Sequence, residues 1–264
     1  MTTHQPGPTS SSTWTVHTDH VSMVRAPMPA RPLRFDARPL PIEVDLARTC
    51  LVVIDMQNDF CHPEGWFGRR GNDLTAARRP IPVIAGLADA IRAAGSRVIW
   101  LTGGIPAARP TRPAGTMSRG GRTPEAFGYG DPTPGGRGPV LVQGSFGAAQ
   151  IAELPPGPGD IEVFKQRLSG FWDSEFDSVL RQAGITTLLF AGINTDRCVF
   201  STLQDAAFLG YDCVLVEDAC GTPSEAYVVD AIHFLVRQLH GFTATSAQLI
   251  AALSGQARAP EAPR

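Results

Sequence analysis

The chain has 264 residues, 43% of them hydrophobic, enough to bury one substantial core. A formal net charge of -2 with interspersed signs excludes a broad basic face for nucleic acid and an acidic block for a cationic partner, leaving small neutral or anionic molecules as ligands. Nowhere do about 18 apolar residues run without a charge, which argues against a membrane span, and the first thirty residues lack the order of a signal peptide, so a cytoplasmic location is expected.

Residues 1–45 are rich in Pro, Ser and Thr without sustained periodicity, and are expected to form an extended arm lying on the domain or on a neighbouring subunit. A single domain is expected over 46–254, followed by a frayed tail at 255–264. Cys50-Leu51-Val52-Val53-Ile54 is a short apolar run of the kind found in strands buried on both faces. Similar runs recur at 97–101, 161–164, 187–191, 213–216 and, more weakly, 241–244. Amphipathic segments separate most of them. Ile84, Leu87, Ala88 and Ile91 share a helical face before Gly95; Phe176, Val179 and Leu180 do so before Gly184; Val199, Leu203, Ala206 and Ala207 do so before Gly210. Strands alternating with helices predict an α/β fold, a three-layer αβα, Rossmann-like arrangement whose parallel sheet of about six strands carries helices on both faces. The stretch from Gly103 to Gly138, dense in Gly, Pro and Arg, breaks the rhythm and is open to two readings, a covering over the active site or plain disorder.

Ligands of open parallel sheets bind outside the carboxyl ends of the strands, so polar residues directly after a buried run come first. Asp55 follows the first run, Lys165 follows 161–164, and the loop from Gly192 to Cys198 follows 187–191. The five cysteines, Cys50, Cys61, Cys198, Cys213 and Cys220, form no C-x-x-C pair, so neither a disulfide framework nor a zinc ribbon is indicated, and a buried Cys is ordinarily packing. Cys198 differs because it stands near the first turn of a helix, where unpaired N–H groups favour a thiolate. An ordinary thiol has a pKa near 8.5, so efficient attack needs a neighbouring base or cation. Lys165 can supply the charge and Asp55 can take the proton. Singly, an Asp after a strand is often a turn residue and a Lys at a strand end often points to solvent; an acid, a cation and a thiol at three strand ends of one sheet is a less common coincidence.

At these residues the sequence resembles the isochorismatase-like cysteine hydrolases, over roughly 49–253. Ile54-Asp55-Met56-Gln57-Asn58-Asp59-Phe60 is similar to the first-strand motif whose Asp is the general base. Lys165-Gln166-Arg167-Leu168-Ser169-Gly170-Phe171 is similar to the catalytic-lysine motif, and Gly192-Ile193-Asn194-Thr195-Asp196-Arg197-Cys198-Val199 to the nucleophile loop. The resemblance implies Asp55, Lys165 and Cys198 as catalytic residues, and a cis peptide between Ile193 and Asn194 that turns the N–H groups of Asn194 and Cys198 inward as an oxyanion hole. It also implies a homodimer or homotetramer. Nicotinamidases of this group carry metal-binding histidines after the second strand; here no histidine lies between His62 and His233, so no metal and no cofactor are expected. Isochorismatases proper resemble the motif without the cysteine, and Cys198 therefore points to covalent amide chemistry.

Within the group, the run from Lys165 to Trp172, the segment Ser201-Thr202-Leu203-Gln204-Asp205 and Gly144-Ser145-Phe146 resemble the ureidoacrylate amidohydrolase branch, while Asp59-Phe60-Cys61 and Glu217-Asp218 are similar to biuret hydrolases. A ureidoacrylate-like substrate is expected, with biuret, lactam or simple-amide hydrolysis as alternatives and a non-catalytic binding protein as the rival class. Candidate substrate contacts carry bland alternatives. Arg167 pairs a substrate carboxylate or an intersubunit acid. Phe60, Trp66, Phe171 and Trp172 form an aromatic wall or plain core. Gln57 and Asn58 orient base or substrate, or satisfy turn backbone. His62 reads as a loop residue, and Gly103-Gly104 lacks the spacing of a phosphate loop.

Overall fold

The computed structural model describes residues 14–25, 27–107, 115 and 127–256. Six strands make the central sheet: β5 (Thr49–Ile54), β6 (Arg97–Gly103), β7 (Ile161–Lys165), β8 (Thr187–Ile193), β9 (Asp212–Gly221) and β10 (Phe242–Ala244). All neighbours are parallel, in the order β10-β9-β8-β5-β6-β7. Every residue of β5 is buried, and successive side chains go to opposite faces. Leu51 and Val53 join one core, with Ile84, Leu87 and Ile91 of the helix Ile81–Ala93 and Leu249 and Leu253 of the helix Ser246–Gln256. Cys50, Val52 and Ile54 join the other, with Phe176 and Leu180 of the helix Phe176–Gln182 and Leu203 and Ala206 of the helix Phe200–Phe208. The expected three-layer αβα fold is therefore present, and the helix Ile81–Ala93 closes at Gly95, whose φ of 66° suits a residue without Cβ.

The chain builds β5, β6 and β7 outward in one direction, then returns to lay β8, β9 and β10 outward in the other. The strand order reverses between β5 and β8, and in open α/β sheets that switch point opens a crevice at the carboxyl ends of the strands.

The N-terminal arm ends earlier than expected. Two short strands, β1 (Thr15–Val16) and β2 (Val21–Ser22), form an exposed hairpin, but β3 (Pro32–Phe35) and β4 (Ile42–Asp45) pair antiparallel and belong to the domain. Leu33, Phe35, Ala37 and Val44 enter the first core, and Arg38 exchanges backbone hydrogen bonds with Thr243 of β10, covering that sheet edge. At the other end, helix continues through Gln256, so the tail begins later than 255; residues 257–264 lie outside the described residues. Within the Gly103 to Gly138 stretch, 108–114 and 116–126 also lie outside them, so the choice between covering and disorder is not decided there. Residues 127–142 are ordered against the domain, with Val140 and Leu141 buried. Among the described residues, no helix is long and apolar enough to cross a membrane.

Edge strand β7, which carries Lys165, is anchored at its start by Asp160. Its carboxylate accepts from Arg92 Nε at 3.1 Å and Nη2 at 2.6 Å, from Trp100 Nε1 at 2.7 Å and from the Gly157 N–H at 2.7 Å. Burial raises the Asp160 pKa, but these bonds and the Arg92 charge outweigh it and hold the carboxyl below its ordinary value. A carboxylate depressed in the folded state stabilises above its unfolded pKa of about 3.9, and that contribution is lost as pH falls through the folded value. Asp160→Asn should cost about 2 kcal/mol in urea unfolding at neutral pH, and the gap to wild type should narrow below about pH 4.

Candidate active site

Asp55 directly follows β5 and adopts φ 55°, a left-handed conformation that for a residue with Cβ is sparsely populated and clusters at functional sites. The turn aims its carboxylate along the sheet edge. Oδ1 accepts from the Gly103 N–H at 2.8 Å, and Oδ2 accepts from Lys165 Nζ at 2.8 Å. Lys165 is two strands away, paired in register with Gly103 of β6. It reaches Asp55 across a place where a Cβ on Gly103 would come within 3.2 Å of Gln57 Oε1 and 3.3 Å of Asp55 Oδ1. Gly103 thus leaves a low wall between the two strands. Lys165 Nζ also donates to the Arg167 carbonyl at 3.2 Å. Both ions are nearly inaccessible, 3% exposed for the Lys165 side chain and 2% for that of Asp55.

On the far side of β5, β8 runs into the nucleophile loop. The Ile193–Asn194 peptide bond is cis, as the family resemblance implied. A π-helical turn, Thr195–Val199, then leads into the helix Phe200–Phe208, placing Cys198 in the first turn of a helical segment as expected. The Cys198 thiol is close enough to Asp55 and Lys165 for both charges to act on it. The three residues expected from the sequence therefore meet in one buried cluster. Burial pushes the Cys198 thiol up to about 12; the Asp55 charge adds to the rise and Lys165 opposes it. For Lys165, burial acts to lower the pKa, but Asp55, Cys198 and the nearby Tyr129 outweigh it and hold the ammonium above its ordinary value. Cys50, Cys61, Cys213 and Cys220 are buried and free, packing residues as a cysteine ordinarily is.

Cys198 and Asn194 form part of the lining of a cavity of about 580 Å³, a volume suited to a small molecule. Phe60, Trp66, Phe67, Tyr129 and Leu168 supply an apolar wall, and Arg70, Asn72, Asp73, Arg197 and Pro223 supply most of the rest. Phe60 and Trp66 are thus where an aromatic wall was expected. Phe171 and Trp172 are not: Phe171 packs on Phe176 and Tyr211, while Trp172 is 63% exposed and donates Nε1 to Asp205. Nor does the Arg167 side chain face this cavity; its guanidinium pairs with Asp173 over a separate surface depression, and its contribution to the cluster is its backbone carbonyl.

Gln57 and Asn58 act as a clasp instead of substrate contacts. Gln57 Nε2 donates to the Gly103 and Ala148 carbonyls at 2.7 Å, and its Oε1 accepts from the Gly103 N–H at 2.8 Å. Asn58 Nδ2 donates to the Phe146 carbonyl at 2.9 Å. Asp59 completes the clasp, accepting from the N–H groups of Trp66 and Leu141. These bonds tie the segment after β5 to residues 141–148, which otherwise have little regular structure. Among the described residues, no group of three or more His, Cys, Asp or Glu could hold a metal ion.

Arg70, Asn72, Tyr129 and Arg197 escaped sequence reasoning. Arg197 directly precedes Cys198 in a loop already singled out, and that adjacency was the one available signal. Tyr129 comes from the irregular stretch; the Phe127 carbonyl accepts from Trp66 Nε1 at 3.0 Å and the Tyr129 ring packs edge-on to Trp66.

Residues 49–248 match the isochorismatase domain family, most of the chain. The ureidoacrylate amidohydrolase RutB of Caulobacter segnis is 37% identical over 216 residues, covering 80% of this chain and 88% of that protein. RutB of Azorhizobium caulinodans is 38% identical over 216 residues, covering 80% and 92%. The crystal structure of a cysteine hydrolase from Pseudomonas syringae pv. phaseolicola superposes with a TM-score of 0.66 at 22% identity, covering 86% of this chain and 99% of that one, a likeness of fold.

The approach of β8 to β5 fixes the distance between Cys198 and Asp55, and it depends on Gly192. Its φ is 115°, and a Cβ there would lie 2.1 Å from the Ile54 carbonyl oxygen. Gly192→Ala should force the two strand ends apart, lowering stability by about 3 kcal/mol in thermal or urea unfolding. Turnover should fall further than stability alone explains.

Proposed function

The chain belongs to the isochorismatase family, and we propose that it is a cysteine amidohydrolase cleaving a C–N bond of a small ureido or carbamoyl substrate, ureidoacrylate-like, through a covalent intermediate on Cys198. The observation that carries this is the meeting of the Cys198 thiol with the Asp55–Lys165 ion pair at the cavity lining. The name borne by relatives 37% and 38% identical favours the ureido class.

Asp55 takes the thiol proton as sulfur attacks the carbonyl carbon, and Lys165 keeps the carboxylate oriented. The oxyanion forms against the backbone N–H groups of Asn194 and Cys198; losing one such donor typically costs about 3 to 4 kcal/mol at the transition state. Protonated Asp55 then gives its proton to the departing nitrogen. For a ureido group the substituted amine leaves and Cys198 is left carbamoylated. Water, giving a proton to Asp55, hydrolyses this thioester-like bond, and the proton returns to sulfur. Carbamate is released and decays to ammonia and carbon dioxide. Nucleophile, proton carrier and fixed positive charge all come from the chain, so the scheme uses no metal or cofactor, and activity should survive dialysis against EDTA.

Ammonia and amine release measured side by side on ureidoacrylate, biuret, N-carbamoylsarcosine and aliphatic amides should give the highest kcat/KM for ureidoacrylate; a clear preference for another class would replace that assignment. Cys198→Ala should lower kcat by about 10⁴-fold or more. Asp55→Asn has a two-sided expectation. Turnover should fall by about 10² to 10⁴, since the proton carrier is lost. The thiol pKa should drop, because one of the charges raising it is gone while Lys165 remains, so iodoacetamide should alkylate Cys198 faster than in wild type at neutral pH. Slower alkylation in that variant would contradict the assigned electrostatics.

A further inference from the structure

We propose that the nucleophile loop also selects the substrate: Arg197 receives an anionic group, and the Asn194 side chain accepts an N–H of the group that Cys198 attacks. The ligand class is a ureido or carbamoyl acid, in preference to its neutral derivatives. This rests on the amidohydrolase assignment and adds to it the residues that read each end of the substrate.

Asn194 is 5% exposed, lines the cavity together with Cys198, and its Oδ1 has no hydrogen-bond donor among the described residues. A buried acceptor left unpaired is costly, and a substrate N–H beside the scissile carbonyl would satisfy it. Urea-type and carbamoyl groups offer such a donor; esters and thioesters do not.

Arg197 lines the same cavity beside Pro223, and a network around Asp196 sets its direction. Asp196 Oδ1 accepts from Thr222 Oγ1 at 2.6 Å and Oδ2 from Ser224 Oγ at 2.9 Å. Arg197 stands farther off, Nε at 3.6 Å from Asp196 Oδ2 and Nη2 at 3.4 Å from Ser224 Oγ. The carboxylate's short bonds go to the two hydroxyls, so the guanidinium is oriented without being closely neutralised. The cavity's own acid, Asp73, is turned to Thr75, accepting from its N–H at 2.9 Å and its hydroxyl at 2.6 Å. Arg70, its guanidinium 5.6 Å from the Trp66 ring centre, belongs to the same lining. A planar fork of N–H donors suits a carboxylate.

The test compares kcat/KM for ureidoacrylate and its methyl ester in wild type, Arg197→Gln, Arg197→Lys and Asn194→Ala. The acid-to-ester ratio should fall about 10- to 100-fold in Arg197→Gln and recover in part in Arg197→Lys. Asn194→Ala should lower kcat/KM for acid and ester by a similar factor. An acid-to-ester ratio unchanged in Arg197→Gln, or unaltered kinetics in Asn194→Ala, would overturn the proposal. A second measurement needs no turnover: protection of Cys198 from methyl methanethiosulfonate by 3-ureidopropionate and by its methyl ester. The acid should protect wild type at lower concentration than the ester, and Arg197→Gln should lose that preference. Protection with this pattern but no hydrolysis would sink the amidohydrolase assignment alone; hydrolysis without the pattern would sink the anion site alone.

Discussion

The buried contact between Lys165 and Asp55, 2.8 Å with both side chains almost wholly removed from water, is the interaction on which the rest of the site depends. Moving each ion from water into a protein interior costs several kcal/mol, repaid only when geometry is good and the remaining valences are satisfied. Here they are met by backbone: the Gly103 N–H for the carboxylate, the Arg167 carbonyl for the ammonium. Asp55 adds the cost of a left-handed φ, about 1 to 3 kcal/mol for such conformations. A strained acid and a desolvated cation are held together by a sheet whose central strand is buried along its whole length. The pair then governs the thiol. Asp55 favours its protonated form and Lys165 its thiolate.

The topology explains how residues 143 positions apart in sequence come together in one buried cluster. Asp55 and the loop carrying Cys198 leave adjacent strands at the switch point, while Lys165 arrives from the sheet edge over Gly103. Gly192 lets β8 close on β5, and the clasp of Gln57, Asn58 and Asp59 fastens residues 141–148 beside the site. Polar residues that look like ligands for substrate are thereby spent on the backbone, and the cavity takes its polar lining from Arg70, Asn72, Asp73, Asn194 and Arg197.

The strands were legible because each is a short apolar run buried on both faces, and Asp55, Lys165 and Cys198 because each follows such a run. The hairpin β3–β4 was not, since the alternation of Leu33 and Phe35 is only four residues long inside a Pro-rich stretch. Phe171, Trp172 and Arg167 misled for another reason. Strand-end position says that a residue is near the site; it does not say which way the side chain points, and in these cases Phe176, Asp205 and Asp173 capture it. Tyr129 was hidden because an irregular segment has no period to read, although Trp66 holds it in place from across the chain.

The central claim is that Cys198 rests as a neutral thiol facing a charged pair, activated only as its proton moves to Asp55. Ultraviolet difference titration of thiolate absorbance, wild type minus Cys198→Ser, measures it directly. The account predicts no thiolate signal from Cys198 until well above the ordinary thiol value of about 8.5. A titration step below neutral pH would show a preformed thiolate–ammonium pair and contradict it.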